Sequence, residues 1–238
     1  MTPEVIKKQQ EITICLTANL SEPQKKRLVE VANNALGYTG DPKLAFDQSL
    51  INHRVKGSCL MVCESGKPLG FALADTVQIE SKKVTYLSFI AVDNDFQEEG
   101  LGTELMKRII SMAGENGCSA LIWRTQNPRL LKAIEKASPS SSVIPLTNIP
   151  TQNERNLMDK FILNVLIPGP GQTFNQESWI FKGVSPRRGD MGKLQHPINN
   201  RSRTEEINSR LTELGLTPEE REAGHSMMFM INFQQGKI

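Results

Sequence analysis

Gly100 and Gly102 stand two apart in DFQEEGLGTEL (residues 95–105), just after the apolar run VTYLSFIAV (84–92). A strand enters, a tight turn follows and an amphipathic helix leaves. The first amides of such a helix have no partner inside it, and the helix dipole adds about half a positive charge there. A diphosphate docked on that end is held by several N–H groups at once. Glycine lets the ligand approach the backbone closely. Leu101 turns down into the core, and Thr103 adds a hydroxyl in the first turn. Glu98 and Glu99 stand against this chemistry, because both carry the sign of a phosphate. Two charges about 4 Å apart repel by roughly 1 kcal/mol in water and about 4 at a partly buried site. Each backbone N–H bond to an ion is worth about 1.5–3 kcal/mol, so a set of four or five outweighs carboxylates that point outward. The turn therefore reads as a phosphate site weakened by its acids. On spacing alone a plain strand-to-helix turn, its acids complementing the dipole, stays equally open.

Other chemistry finds less support. Cys15, Cys59, Cys63 and Cys118 have no paired metal spacing, and His53, His196 and His225 stand far apart, so no metal site is expected. The cysteines read as buried, reduced thiols of a cytoplasmic protein. Lys plus Arg number 28 against 26 Asp plus Glu, a balance that gives no argument for a nucleic-acid partner. The basic stretch SPRRGDMGKLQHPINNRSR (185–203) lacks interleaved aromatics and reads as a solvated loop. No apolar segment approaches the roughly 20 residues that cross a bilayer, and MTPEVIKKQQEITICL lacks the pattern of a secretory signal.

The elements that must position the turn are legible on either side of it. EITICLTANL (11–20) alternates as a first strand. Ser21, Pro23 and Gln24 then open a helix with a capping box, and Leu28, Val31, Ala32, Ala35 and Leu36 form its apolar stripe up to Gly37. SCLMVCE (58–64) and PLGFALADTVQIE (68–80) flank the turn SGK as a hairpin. The 84–92 strand is apolar on both faces and belongs inside a sheet. The helix after Gly100 buries Leu101, Leu105, Ile109 and Ala113 and ends near Gly117. CSALIWRTQ (118–126) is the next strand, and NPRLLKAIEKA the next helix, with Asn127 as its cap. Beyond SPSSS the expectations are a helix over 153–166 stopped by PGPG, a strand at 178–184, helix starts at Thr204 and Thr217, and a final strand over 225–233. Thr217 should carry a second capping box. Trp123 and Trp179 read as core residues, with a cleft lining as the alternative.

The turn, in the form IAVDNDFQEEGLGTEL, resembles the signature of the GNAT superfamily of N-acetyltransferases, with Gln97, Gly100 and Gly102 in the Gln/Arg-x-x-Gly-x-Gly/Ala positions. The element order from about residue 11 to residue 137 is similar to that superfamily too. The resemblance implies an α+β fold: a mixed, mostly antiparallel central sheet flanked by helices, with an enlarged C-terminal part. It implies one domain over 1–238, with a cofactor-binding core at 10–137, a variable region at 138–224 that could wall the acceptor cleft, and a final strand at 225–238. The implied donor is acetyl-CoA. Its diphosphate would lie on the amides of Glu98, Glu99, Gly100, Leu101, Gly102 and Thr103. Its pantetheine arm would pair with the backbone of Ile90, Ala91 and Val92. In WRTQNP (123–128), Asn127 corresponds to an asparagine that faces the cofactor in some members, and Arg129 and Lys132 are placed to meet a nucleotide phosphate or to be ordinary helix charges.

The chain departs from that pattern in its acidic turn and in catalysis. Many members carry a proton-donating tyrosine where alignment from Asn127 puts Ile134. Tyr86 on the central strand is the substitute candidate, with a structural tyrosine as the alternative. Glu80 and Asp75 are candidates for the base that takes the ammonium proton, and Ser88 for holding a water; all three also read as ordinary polar residues. The expected activity is acetyl transfer from acetyl-CoA to a primary amine, small molecule or peptide, by direct attack. The rival is a catalytically weak module of the same fold that binds acyl-CoA or a protein partner. Neither the acceptor nor the oligomeric state is legible.

Overall fold

The structure, a computed structural model, describes residues 10–36, 46–48, 51, 57–97, 99–125, 127–169, 171–182, 201–223 and 225–233. Gly37, His53, Glu98, His196 and the basic stretch up to residue 200 lie outside the described residues. The chain divides into two compact units, Met1–Ala74 with Phe89–Leu105, and Asp75–Ser88 with Met106–Ile238.

In the first unit, β1 (Gln10–Leu16), β2 (Ser58–Glu64) and the first part of β3 (Lys67–Ile79) pair antiparallel in that order. Helix α1 (Glu22–Ala35) begins as its sequence demands: Ser21 Oγ accepts from Gln24 N–H, and the Gln24 side chain accepts from Ser21 N–H at 2.9 Å. Leu28, Val31, Ala32 and Ala35 of α1 pack on Cys59, Met61, Phe71 and Leu73, with Phe89 and Ala91 from the end of β4 (Lys82–Val92) in the same cluster. The Phe71 and Phe89 rings stack with centroids 5.5 Å apart. β1 ends the strand order, and its apolar residues Ile12, Ile14 and Leu16 are exposed, so its alternation marks an edge rather than a core strand. The β2–β3 register shifts at Val62/Cys63, beside Pro68, which has no N–H to give to a ladder. Gly70 lies next to that shift. A Cβ there would come within 3.0 Å of Ala91 O and 3.1 Å of Val92 Cγ2.

In the second unit the strand order is β4, β5 (Ala120–Thr125), β9 (Ser226–Asn232), β8 (Ile180–Lys182) and β7 (Thr173–Asn175), with β6 (Val143–Ile144) also on β9. Only β4 and β5 are parallel among the pairs described. Their ladder runs from Val84↔Ala120 to Leu87↔Trp123 and ends there. β4 gives Val84 and Tyr86 to the core of this unit and Phe89 and Ala91 to that of the other, and Thr85 and Leu87 between them are buried as well, as expected of an interior strand.

Helix α2 (Leu101–Glu115) buries Leu101, Leu105, Ile109 and Ala113 as its spacing predicts, and Gly117 beyond its end takes φ +66°. Helix α3 (Pro128–Ala137) starts at Asn127. Helix α4 (Gln152–Phe161), capped by Thr151 and Glu154, packs Leu157, Met158 and Phe161 against Tyr86, Ile122, Met228 and Trp179. Both tryptophans are fully buried. The architecture is the expected α+β mixture of antiparallel-dominated sheet and flanking helices.

Several boundaries differ from expectation. The single helix expected over 153–166 is α-helical only to Phe161, then continues as a π-turn over Ile162–Leu166 that ends with Ile167 at φ +43°. The strand expected at 178–184 starts later, at Ile180 of β8, because Trp179 takes φ +57° and belongs to the preceding turn; residues 183 and 184 lie outside the described residues. Helix α5 (Arg201–Glu213) is already formed before Thr204, so that residue is no start. β6 and β7 are too short for alternation to reveal. Before α6 (Pro218–Glu222), Thr217 accepts from Glu220 N–H, but the box is not completed, because the Glu220 carboxylate turns to His225 and Lys182 instead. Among the described residues, no helix is long and apolar enough to cross a membrane, and no group of three or more His, Cys, Asp or Glu could hold a metal.

Candidate cofactor site

The turn between β4 and α2 is built in the first unit by hydrogen bonds that its sequence only partly advertises. β4 ends with Ala91 buried and Ile90 and Val92 half-buried. Asp93 follows, 4% exposed, and its N–H donates to Leu69 O at 2.8 Å. Arg27 Nη2 reaches the Asp93 carboxylate at 2.7 Å, and Arg27 Nε donates to Pro68 O at 3.2 Å. One guanidinium thus ties α1 to β3 and to the first residue of the turn. Charge-assisted pairs of this kind are the strong ones. The chain then makes a short 3-10 turn over Asn94–Phe96. The Gln97 side-chain amide donates back to Val92 O at 3.1 Å and to Asn94 Oδ1 at 2.7 Å. Gln97, read as a signature residue, therefore also braces the turn.

The two glycines have different reasons to be there. Gly100 takes φ +87°, a left-handed conformation that a side chain would strain. Gly102 lies in the first turn of α2 without positive φ, where glycine costs about 1 kcal/mol relative to alanine. A Cβ at Gly102 would meet only Val92 Cγ2, at 4.0 Å, and one at Gly100 would meet nothing within 4 Å. Turn geometry explains Gly100. No neighbouring atom among the described residues explains Gly102, whose Cβ position is open. The first intrahelical bond is Glu104 N–H to Gly100 O at 3.1 Å, so the amides of Leu101, Gly102 and Thr103 precede the helix ladder. Leu101 is buried as an anchor, and Glu99 is exposed. Open amides at a glycine-lined helix start fit the diphosphate of a coenzyme A.

Residues 26–136 match the Acetyltransferase (GNAT) family. The chain carries a GNAT acetyltransferase domain. That family uses acetyl-CoA. No curated protein matches the sequence. Among solved structures, an aminoglycoside acetyltransferase from an uncultured soil metagenomic sample, crystallised with sisomicin, is 16% identical over 56% of this chain and 90% of its own, with a TM-score of 0.46. The ribosomal-protein-S18-alanine N-acetyltransferase of Escherichia coli is 18% identical over 60% of this chain and 87% of its own, at 0.43. A Bacillus subtilis acetyltransferase in complex with CoA is 16% identical over 57% and 78%, at 0.41. At such distances these likenesses say nothing of what this chain acetylates.

The remaining candidates of the GNAT domain lie in the second unit. Asn127 caps α3: its Oδ1 accepts from Arg129 N–H, and its own N–H donates to Thr125 Oγ1, both at 2.9 Å. Arg129 and Lys132 are half-buried on that helix. Ile134 is fully buried and offers nothing to a leaving group. Tyr86 is 7% exposed, with its ring 5.1 Å from that of Phe161, a packing role rather than an open one. Ser88 and Asp75 are half-buried. Glu80 does not join this set. It lies in the β3–β4 hairpin at φ +52°, ion-paired to Lys160 Nζ at 2.6 Å, at the end of the sheet where β4 starts. Ser88 lies farther along β4, about 20 Å from the strand's start at roughly 3.3 Å per residue. Parallel pairing puts Asn127 in that direction too. Glu80 therefore stands apart from Ser88 and Asn127 in this unit, held by its ion pair. Arg27 and Asp93 were missed, and no local pattern marks a pair 66 residues apart.

Proposed function

We propose that this GNAT domain transfers an acetyl group from acetyl-CoA to a primary amine by direct attack, without a covalent enzyme intermediate. The observation that carries the reading is Gly102, a helical glycine with open space where a side chain would stand and no packing reason of its own. Leu101, Gly102 and Thr103, with Gly100, would hold the diphosphate through backbone N–H groups, the exposed Glu99 and its neighbour Glu98 weakening the grip. The backbone of Ile90–Val92 would pair with the pantetheine arm as a strand does. Asn127, Arg129 and Lys132 are proposed for the nucleotide end. When bound, the thioester supplies an acyl group that needs little acid catalysis. The protein's part is to bring amine and carbonyl together and to polarise the carbonyl with main-chain N–H near Val92.

The buried Ile134 favours a second reading, a module that binds acyl-CoA and transfers poorly. Calorimetry with CoA, followed by a panel of primary amines with acetyl-CoA read by free-thiol release, separates the two. Turnover on any amine supports the transferase, and tight CoA binding with no turnover supports the module. No binding at all refutes both.

A further inference from the structure

Cys15 and Cys59 stand directly opposite each other where β1 pairs with β2, both within the first unit. The pairing runs one place beyond Leu16↔Ser58, where Thr17 N–H donates to Gly57 O at 2.9 Å. Opposed residues of an antiparallel pair alternate between hydrogen-bonded and not, so Cys15 and Cys59, two places back, form a bonded pair with Cα atoms about 5.5 Å apart. Disulfides span about 4.4–6.8 Å between Cα atoms, most often about 5.5–6 Å. Opposed residues also share one face of the sheet. Here it is the face on which Leu28, Val31 and Ala35 of α1 pack with Cys59, Met61 and Phe71, and Cys15 lies against that cluster. Cys15 Sγ reaches Cys59 O at 3.8 Å. Burial pushes both thiols above their usual range, and a hydrogen bond between the two offsets part of the rise at Cys15. Both are free thiols.

The two sulfurs differ in what can reach them. Cys59 is fully buried, whereas Cys15 is half-buried on the strand that ends the sheet order. A reagent from solvent therefore meets Cys15 first, and Cys59 follows through Cys15. Cys63 is out of range for either. It stands opposite Glu11, four residues along β2 from Cys59, and about 13 Å away at roughly 3.3 Å per residue. Cys118 belongs to the second unit, where its sulfur accepts from Thr85 Oγ1 at 3.2 Å. A hydrogen-bonded pair keeps its Cβ atoms at the wide end of about 4.5–5.5 Å, against about 3.5–4.5 Å in a disulfide, so closure draws the strands together. Among the described residues β1 pairs on one side only, which lets it yield. A disulfide closed under strain is also one that is readily reduced again.

We propose that Cys15 and Cys59 are a redox-modification site, closing reversibly to a cross-strand disulfide by exchange with a small-molecule disulfide such as glutathione disulfide. The Cys15 thiolate attacks one sulfur of the small molecule. A mixed disulfide forms as the old sulfur–sulfur bond breaks, and one glutathione leaves. Cys59 then gives up its proton and attacks Cys15 Sγ, expelling the second glutathione. The two cysteines lose two electrons and two protons, and the two glutathione thiols gain them. The new bond joins positions 44 apart and pins the edge strand to the cluster under α1. This site is independent of the transferase reading.

The test incubates the full chain with glutathione disulfide, blocks the remaining thiols, and reads the intact mass and the linked peptides after digestion. The expected product has lost two hydrogens, carries no glutathione and yields one linked pair, Cys15 with Cys59. Dithiothreitol should restore four free thiols. Closing a loop of that length should raise Tm by about 2–10 °C, strain taking part of the gain. Cys15→Ser should abolish both the linkage and the Tm rise, whereas Cys63→Ser and Cys118→Ser should leave them. Because Cys15 is half-buried at an edge, its serine variant keeps the test decisive even where Cys59→Ala fails to fold. A glutathione adduct that stays on Cys15, a linkage through Cys63 or Cys118 or between two chains, a linkage that fails to raise Tm, or no loss of hydrogen overturns the proposal. Each of these outcomes leaves the transferase reading standing, since none involves coenzyme A.

Discussion

Gly102→Ala separates a turn that merely folds from one that grips an anion. The substitution adds one methyl in the first turn of α2, where the nearest atom it meets is Val92 Cγ2 at 4.0 Å. Without a clash, the expected effect on the free protein is favourable. Replacing a helical glycine by alanine is worth about 0.5–1 kcal/mol, less at a terminus than in mid-helix. For a chain of this size each kcal/mol moves Tm by roughly 2–4 °C, so a rise of about 1–4 °C is expected by circular dichroism. The effect on coenzyme A binding is opposite. On the proposed donor site, the methyl would keep the diphosphate from a close approach to the helix start and deny it one charge-assisted N–H bond, worth about 1.5–3 kcal/mol. Calorimetry should show CoA binding about ten- to a few hundred-fold weaker. Stability up with affinity down is a combination that neither a packing role nor a general loss of fold produces. A raised Tm with unchanged CoA affinity would refute the reasoning, since it would mean the ligand sits elsewhere. A lowered Tm would refute the open space itself.

Glu98→Lys and Glu99→Lys should each leave CoA affinity unchanged or tighten it by calorimetry; a large loss from both would give the acids a different role. Arg27→Leu strands the Asp93 carboxylate, whose side chain is only 6% exposed, and should cost about 2–4 kcal/mol in urea unfolding. Substituting both partners by apolar residues should restore part of that loss. Asp159 has a buried Oδ1 with no hydrogen-bond partner among the described residues, and burial pushes its carboxyl above the usual range, with Arg155 offsetting part of the rise. A folded-state pKa raised above the unfolded one means stability is lost as pH rises through the unfolded value and stays lost above the folded one. Asp159→Asn should therefore raise the urea midpoint at neutral pH and lose that advantage below about pH 4.

Residues that act through their neighbours in the chain were legible, and those that act across it were not. Ser21 and Gln24 announced α1 because a capping box is a local bond, and the four-residue spacing of Leu101, Leu105, Ile109 and Ala113 announced α2 because a helix repeats locally. β2 was found residue for residue, since Ser65 and Gly66, both at positive φ, close its hairpin with β3. The Gly100 turn was legible for the same reason. Arg27 and Asp93, which hold that turn, lie on separate elements, and nothing in either segment names the other. Glu220 shows a local rule overruled: three residues after Thr217 it belongs in a capping box, but His225 is the stronger claimant on its charge. The π-turn after Phe161 escaped because the run ILNVL continues the apolar pattern of the helix before it. The ion pair of Glu80 with Lys160 was not legible either, since the two stand 80 residues apart.

The close approach at Gly70 makes that position a marker that sequence comparison can use without any further structure. A relative with a larger residue there must have displaced Ala91 O or Val92, the two residues that deliver the chain into the glycine turn. Gly70 and Gly102 should therefore be kept or lost together across a lineage, and a sequence that keeps the second without the first has rebuilt its donor site on a different strand geometry.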